Sequence, residues 1–126
     1  MNMVKLLPIT FLLLLAFTTI SYSQEDPYLP FAQVMPAPVG GLEAIYKNIA
    51  YPEIARKAGI EGKVYVLIYV NEKGGVDDVK ILKGIGAGCN EAAVDGIKAV
   101  KFSPGKNNGA PVKTKLSMSI NFKLNN

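Results

Sequence analysis

The most reactive side chains in this sequence are a single cysteine and two adjacent aspartates, and the sequence contains no histidine. Cys89 directly follows the glycine-rich segment Gly84–Gly88. A thiol or hydroxyl nucleophile normally needs a neighbouring base, which is most often histidine. Asp77 and Asp78 are consecutive, so on a strand they point to opposite faces and cannot act together on one substrate. We therefore expect a binding protein rather than an enzyme.

The segment Gly84–Gly88 lies between a predicted strand and a predicted helix, where phosphate-binding loops occur. A dinucleotide loop needs glycine or alanine three positions after Gly86, and Cys89 stands there instead. We interpret the segment as a connector and expect no cofactor. A thiol near a helix start can have a lowered pKa, but we interpret Cys89 as a small buried side chain. Without histidine, the usual Cys/His zinc site is excluded.

The closing strand is the element best suited to binding. From Val112 to Leu124 apolar and polar residues alternate strictly, which indicates one buried and one exposed face. The exposed face carries Lys113, Lys115, Ser117, Ser119, Asn121 and Lys123. An edge strand presents unpaired N–H and C=O groups that can accept a partner strand. Lysines also protect such edges against aggregation, so the pattern alone leaves both interpretations open.

Residues 1–23 are typical of a secretory signal peptide. A short charged start precedes the apolar run Leu6–Phe17, and the small residues Ser21 and Ser23 stand before a predicted cut at Gln24. We therefore expect an exported mature chain. The alternative is an uncleaved membrane anchor, although the 15 residues from Leu6 to Ile20 fall short of a spanning helix, which needs about 20.

The rest of the chain predicts one small domain, residues 39–126, behind a proline-rich lead-in, residues 24–38. We expect the lead-in to be extended and unpacked. Three helices are predicted: Gly41–Ile49, Tyr51 to Gly59, and one from Asn90 that ends before Phe102. Three strands are predicted: Lys63–Asn71, Val76–Leu82 and Val112–Leu124. This order indicates an α+β fold, a small antiparallel three-stranded sheet with helices packed on one face.

Three local expectations follow from the pattern. The first helix should bury one stripe, Leu42, Ile45, Tyr46 and Ile49. Both faces of Lys63–Asn71 are apolar, so we expect a central strand covered on both sides. Asn90 should cap the third helix with its side chain.

The charge of the chain is uneven. The net charge is +4, and no acidic residue follows Asp95, although six lysines do. A solvated strand face and a basic face that meets an acidic partner are both consistent with this pattern. The chain lacks the aromatic and basic pattern of nucleic-acid binding, so we expect no nucleic-acid partner.

Several motifs, in this order and spacing, resemble the TonB C-terminal domain family. The segment Tyr51–Val64 (YPEIARKAGIEGKV) resembles the Tyr-Pro helix and "IEG-x-V" strand start of that family. The match continues through Asn71–Val79, Ile81-Leu82, Glu91–Ala93, Phe102–Lys106 and the closing strand to Phe122. The Pro38–Gly41 lead-in and the loop before Cys89 resemble a Bacteroidetes-type variant. The resemblance covers about Val39 to Leu124.

The resemblance implies a periplasmic domain that grips the N-terminal segment of an outer-membrane TonB-dependent transporter. The gripped segment would add as a strand along Lys113 to Lys123, with Tyr51 and Pro52 nearby. The resemblance also implies contact with inner-membrane motor proteins in energy-coupled transport. The 15-residue lead-in spans only roughly 45 Å when extended, which is shorter than a typical periplasmic spacer. A membrane-anchored minimal transducer subunit and a self-associating envelope domain, such as a homodimer, are the alternatives.

Overall fold

The computed structural model describes residues 19–22 and 25–125. Most of the predicted signal segment, residues 1–23, lies outside the described residues, so that assignment stays a prediction. Within the described ranges, no helix has the length and apolar character needed to cross a membrane.

The main sheet has three antiparallel strands, which confirms the predicted α+β fold. They are β2 (Gly62–Val70), β3 (Val76–Lys83) and β7 (Thr114–Phe122), in the order β3–β2–β7. The strand with the strongest pattern of β-branched and aromatic residues, β2, is central as predicted. β7 pairs with β2 without a register shift, from Gly62 opposite Phe122 to Val70 opposite Thr114.

Three helices cover one face of this sheet: α1 (Leu42–Lys47), α2 (Glu53–Lys57) and α3 (Cys89–Lys98). The core between the layers contains alternate residues of β2, namely Val64, Val66, Ile68 and Val70, all fully buried. The helices contribute fully buried Ile45, Ala55, Cys89, Ala93 and Ile97. Every second residue of β2 and one face of α3, whose residues repeat with the helical period, therefore pack against each other in one apolar layer.

The stop of α2 follows the sequence prediction. Gly59 has φ +67°, and its N–H bonds back to Arg56 while the N–H of Ile60 bonds to Ala55. This is a Schellman end, which favours glycine because the left-handed conformation costs it little. Pro52 stands one residue before the helix, where its extended conformation starts the turn.

The predicted cap at Asn90 is wrong. The helix α3 begins at Cys89, so Asn90 lies inside its first turn. Its side-chain oxygen instead accepts the N–H of Ile85 at 3.1 Å, which holds the glycine-rich loop against the helix. An asparagine near a helix start can bond to a loop as readily as to the helix itself.

The predicted apolar stripe of α1 is only partly buried. Ile45 is fully buried, but Leu42 is 53% exposed and Tyr46 is 41% exposed. The helix has only six residues and lies at the border of the sheet, so one side of its stripe extends past the core.

The second face of β2 is less covered than predicted. Tyr65 is 41% exposed and Leu67 is half-buried, whereas Tyr69 is buried. The cover over Tyr69 comes from Tyr28 of the lead-in, whose ring packs edge-on at 5.0 Å between centroids. Because the helices lie on the opposite face, the rest of this face stays open.

The predicted closing strand is divided. A short strand β6 (Ala110–Val112) forms a hairpin with β5 (Gly105–Asn107), and β7 begins after a break at Lys113. The turn between β5 and β6 uses positive φ at Asn108 and Gly109. Residues 105–112, which lie between the predicted third helix and most of the predicted closing strand, therefore form a hairpin.

The lead-in is extended as predicted, but it contacts the domain. A short strand β1 (Ala37–Pro38) pairs with β4 (Phe102–Ser103), and Val34 exchanges hydrogen bonds of 3.0 and 2.8 Å with Lys106. The expectation of an unpacked segment is wrong, because short strands leave edges whose N–H and C=O groups accept an extended chain.

Candidate partner-binding edge

The strand β7 lies at one side of the sheet, so half of its backbone groups point away from β2. In an antiparallel pair the N–H and C=O of one residue point the same way, and the direction alternates along the strand. The N–H of Lys115 bonds outward to Leu29, and the N–H of Asn121 bonds outward to Tyr46. The outward residues are therefore Lys115, Ser117, Ser119 and Asn121, whose backbone groups we call the outer edge.

The middle of the outer edge is unpaired. The N–H groups of Ser117 and Ser119 find no partner among the described residues. Both side chains are exposed, whereas their neighbour Ile120 is fully buried. The strand can therefore accept another strand at its centre while its apolar face keeps it attached to the core.

Both ends of the outer edge are closed by distant parts of the chain. At the start, the N–H of Leu29 donates to the Lys113 carbonyl, and the N–H of Lys115 donates to the Leu29 carbonyl, both at 2.9 Å. At the far end, the N–H of Asn121 donates to the Tyr46 hydroxyl at 3.0 Å. Sequence reasoning missed both contacts, because Leu29 and Tyr46 carry no local signal of pairing.

The lysines at the start of the edge contact the lead-in. The Lys115 ammonium lies 2.9 Å from the Asp26 carboxylate, and Lys113 Nζ lies 5.6 Å from the Tyr28 ring centroid. Hydrogen bonds from Tyr28 N–H and Lys115 lower the pKa of Asp26. The same Asp26 contact raises the pKa of Lys115.

The Tyr28 hydroxyl donates to the Asp77 carboxylate. This hydrogen bond raises the pKa of Tyr28 to about 12 and, together with one from Asn71, lowers the pKa of Asp77. Tyr28 therefore joins the start of β3 to the start of β7, and Asp77 accepts hydrogen bonds from Tyr28 and Asn71.

The side chains beside the outer edge form an open apolar strip. Tyr65 lies opposite Ser119, Leu67 opposite Ser117, and Tyr69 opposite Lys115 in the β2–β7 register. Because serine is small, a neighbouring strand could reach across it to Tyr65 and Leu67. The apolar residues on the second face of β2 already indicate this strip in the sequence.

Of the remaining candidate residues, Lys123 and Tyr51 lie at the far end of β7 and Pro52 does not. Lys123 is exposed and follows the strand, where it lines a shallow pocket with Tyr51 and Arg56. The Tyr51 ring packs edge-on against Phe122 at 5.5 Å, and its hydroxyl donates to the Ile60 carbonyl. Pro52 lies instead beside the glycine-rich loop, where a Cβ on Gly88 would approach it to 3.2 Å.

Tyr51 therefore supports the end of the strand from the core side. Desolvation on burial raises the pKa of its hydroxyl.

The single cysteine is fully buried at the start of α3. Burial, together with the charge of Glu91, raises the pKa of the Cys89 thiol. The interpretation of Cys89 as a small buried side chain is confirmed, and the alternative of a lowered pKa is wrong.

Comparison with known proteins gives the same family from sequence and structure. The family model described as Gram-negative bacterial TonB protein C-terminal matches residues 47–124. Protein TonB of Vibrio cholerae is 35% identical over 101 residues, which cover 79% of this chain and 36% of that protein. Protein TonB of Xanthomonas campestris is 30% identical over 76 residues, covering 60% of this chain and 34% of that protein.

The fold has a solved counterpart. The solution structure of the Pseudomonas aeruginosa TonB C-terminal domain aligns with a TM-score of 0.51 and 26% identity, over 62% of this chain and 80% of that one. The match spans about a third of the length of the curated relatives. The family model covers more than half of the chain, and the fold agrees, so the chain belongs to the TonB C-terminal domain family.

Proposed function

We propose that this chain is a periplasmic TonB-like binding domain that engages the N-terminal segment of an outer-membrane transporter by strand addition, in energy-coupled transport. The observation that carries the proposal is the unpaired centre of the outer edge, Ser117 and Ser119. An extended segment placed there gains backbone hydrogen bonds without any rearrangement of the β2–β7 ladder. The role is binding rather than catalysis.

The surroundings of the edge favour a particular kind of segment. Side chains on one face of an added strand would cross the small Ser117 and Ser119 toward Leu67 and Tyr65. Apolar or aromatic residues fit that strip, because cross-strand apolar pairs stabilise sheets. Lys115 and Lys123 stand near the two ends of the edge and favour acidic residues in the partner.

Membership of the family supports the energy-transduction role in general terms. The finer parts are proposals: export by a cleaved signal peptide, a periplasmic location, and contact with inner-membrane motor proteins. N-terminal sequencing of the exported protein distinguishes the two forms of the chain. A start at Gln24 fits a free domain, whereas a start at Met1 or Asn2 fits a membrane-anchored subunit.

Peptide mapping tests strand addition directly. Isotope-labelled chain is titrated with synthetic peptides that cover the N-terminal segments of the outer-membrane transporters of the source bacterium. We expect the amide signals of Ser117 and Ser119 to shift first, while those of Val66 and Ile68 stay in place. Tight dimers that exclude every peptide would favour the self-associating alternative, and shifts confined to another surface would refute the edge.

A matched pair of variants separates the backbone from the side chain at the same position. Ser119→Pro removes an outward N–H and leaves the ladder to β2 intact, so the fold should tolerate it. We expect this variant to bind at least about tenfold more weakly, and Ser119→Ala to bind like the parent. A folded Ser119→Pro variant with parental affinity would show that the edge is not used.

A further inference from the structure

The lead-in already occupies the start of the outer edge. Leu29 lies parallel to β7 and uses the Lys113 carbonyl and the Lys115 N–H, with both hydrogen bonds at 2.9 Å. These are the bonds that a strand from another protein would make at this position. The chain therefore contains its own occupant for part of the site.

Side chains hold this occupant in place from two sides. Asp26 accepts the Tyr28 N–H and pairs with Lys115, each at 2.9 Å. The Tyr28 ring packs against Tyr69, and its hydroxyl donates to Asp77. We call residues Asp26–Leu29 the clasp.

The contacts that hold the clasp lie close to solvent. Leu29 is 39% exposed and makes the only bridge of the clasp to β7 among the described residues. The Asp26–Lys115 pair is partly exposed to solvent, where ion pairs contribute little. Release of the clasp returns conformational entropy to four residues, and it leaves the β2–β7 ladder intact, so the clasp can open without unfolding of the sheet.

We infer that the clasp is an intramolecular inhibitor of the outer edge, which a partner strand must displace to pair along its full length. The inference rests on strand addition at this edge as the proposed function. With the clasp closed, a partner can use only the groups around Ser117 and Ser119. With the clasp open, the Lys113 carbonyl and the Lys115 N–H also become available. The apparent affinity of a long segment is therefore reduced by the fraction of molecules with an open clasp.

The first test needs no partner. Amide hydrogen exchange is measured at Lys115 in the full chain and in Tyr28→Ala, which removes the contacts with Tyr69 and Asp77. We expect Lys115 to be protected in the parent and to exchange at least about fivefold faster in the variant. Phe31→Ala is the matched control, because Phe31 is a lead-in aromatic that is 82% exposed. Val66 should be unchanged in all three proteins.

The second test uses the lead-in as its own probe. A synthetic peptide of residues 25–33 is added to the full chain and to Tyr28→Ala and Leu29→Pro, the second of which removes the N–H that bonds to Lys113. The peptide should shift the Lys115 amide in both variants and leave the parent and Phe31→Ala unchanged, because an occupied edge excludes it. Transporter peptides that bind the parent should bind Tyr28→Ala about fivefold tighter or more.

The outcomes separate the clasp from the proposed function. If Lys115 exchanges in the parent as fast as Ser117, the clasp does not close and the inference is wrong. Equal affinity of the parent and Tyr28→Ala for an edge-binding peptide would also overturn it. If the peptide of residues 25–33 binds only the variants while no transporter peptide binds any protein, the clasp is supported and the transporter is removed as the partner.

Discussion

The backbone N–H of Asn121 donates to the hydroxyl oxygen of Tyr46 at 3.0 Å, so a side chain from α1 closes the far end of the strand that we propose to bind a partner. Leu29 closes the near end with two backbone hydrogen bonds. Between them, Ser117 and Ser119 present the unpaired part of the edge. Contacts from α1 and the lead-in thus set the length of the exposed strand.

Removing the Tyr46 hydroxyl should open the far end. In Tyr46→Phe the Asn121 N–H loses its acceptor, which costs about 1 kcal/mol of local stability. We expect the Asn121 amide to exchange about fivefold faster, with core amides unchanged. Tyr65→Phe is the control, since it removes a hydroxyl from the open strip and not from the strand end. Unchanged exchange at Asn121 would mean that the hydroxyl does not protect it.

The turn between β2 and β3 should tolerate only glycine at position 74. Gly74 has φ +83°, its carbonyl accepts the Phe102 N–H, and a Cβ there would collide with the Phe102 carbonyl. We expect Gly74→Ala to lower the free energy of unfolding by about 2–4 kcal/mol, from steric overlap plus the left-handed conformation.

The control for that change is Gly109→Ala, where φ is +77° but no atom lies within 4 Å of the added Cβ. This variant should lower the free energy of unfolding by only about 1 kcal/mol. Denaturant unfolding of the two variants isolates the collision from the backbone strain. Equal losses of unfolding free energy in the two variants would show that the Phe102 carbonyl does not restrict the residue at position 74.

Titration of Tyr28 should report the state of the clasp. Its pKa is about 12, above the ordinary 10.0, because its hydroxyl donates to Asp77. The contribution of this bond to folding is present below pH 10 and is lost as the pH rises through about 12. We expect Asp77→Asn to move the Tyr28 pKa back toward its ordinary value, as measured from ring resonances.

Two carboxylates that bond to the clasp or within it, Asp77 and Asp26, respond at the opposite end of the pH range. The pKa values of Asp26 and Asp77 are lowered, so their contribution is present above about 3.8 and is lost as the pH falls below it. Tyr28 ring resonances should then lose the shift caused by packing on Tyr69. A Tyr28 pKa of 10 in the parent would contradict the closed clasp.

The Cys89 thiol should be unreactive in the folded protein. It is fully buried and burial raises its pKa, so both access and thiolate formation are suppressed. A thiol reagent at pH 8 should modify the denatured chain at least about a hundredfold faster than the native chain. Fast native labelling would indicate that α3 opens locally.

The sequence by itself determined the elements whose signals are local. The alternation in Val112–Leu124 predicted β7, because side chains on a strand alternate between its faces. The run of β-branched and aromatic residues in Lys63–Asn71 predicted the central strand β2. Gly59 predicted the end of α2, since a left-handed residue is needed there. The same local patterns identified Ser117 and Ser119 as exposed residues of an edge strand. The assignment of that edge to a partner stays a prediction.

The tertiary structure alone decided which part of the edge is unpaired. Asn121 and Tyr46 are 75 residues apart in the chain, and Asp26 and Lys115 are 89 apart. Such pairs leave no periodic signal, and the lead-in lacks the alternation of a strand. The direction of each backbone N–H along β7 depends on its pairing with β2, which periodicity of the side chains does not specify. Only the folded chain therefore brings Leu29 and Tyr46 to the two ends of the strand.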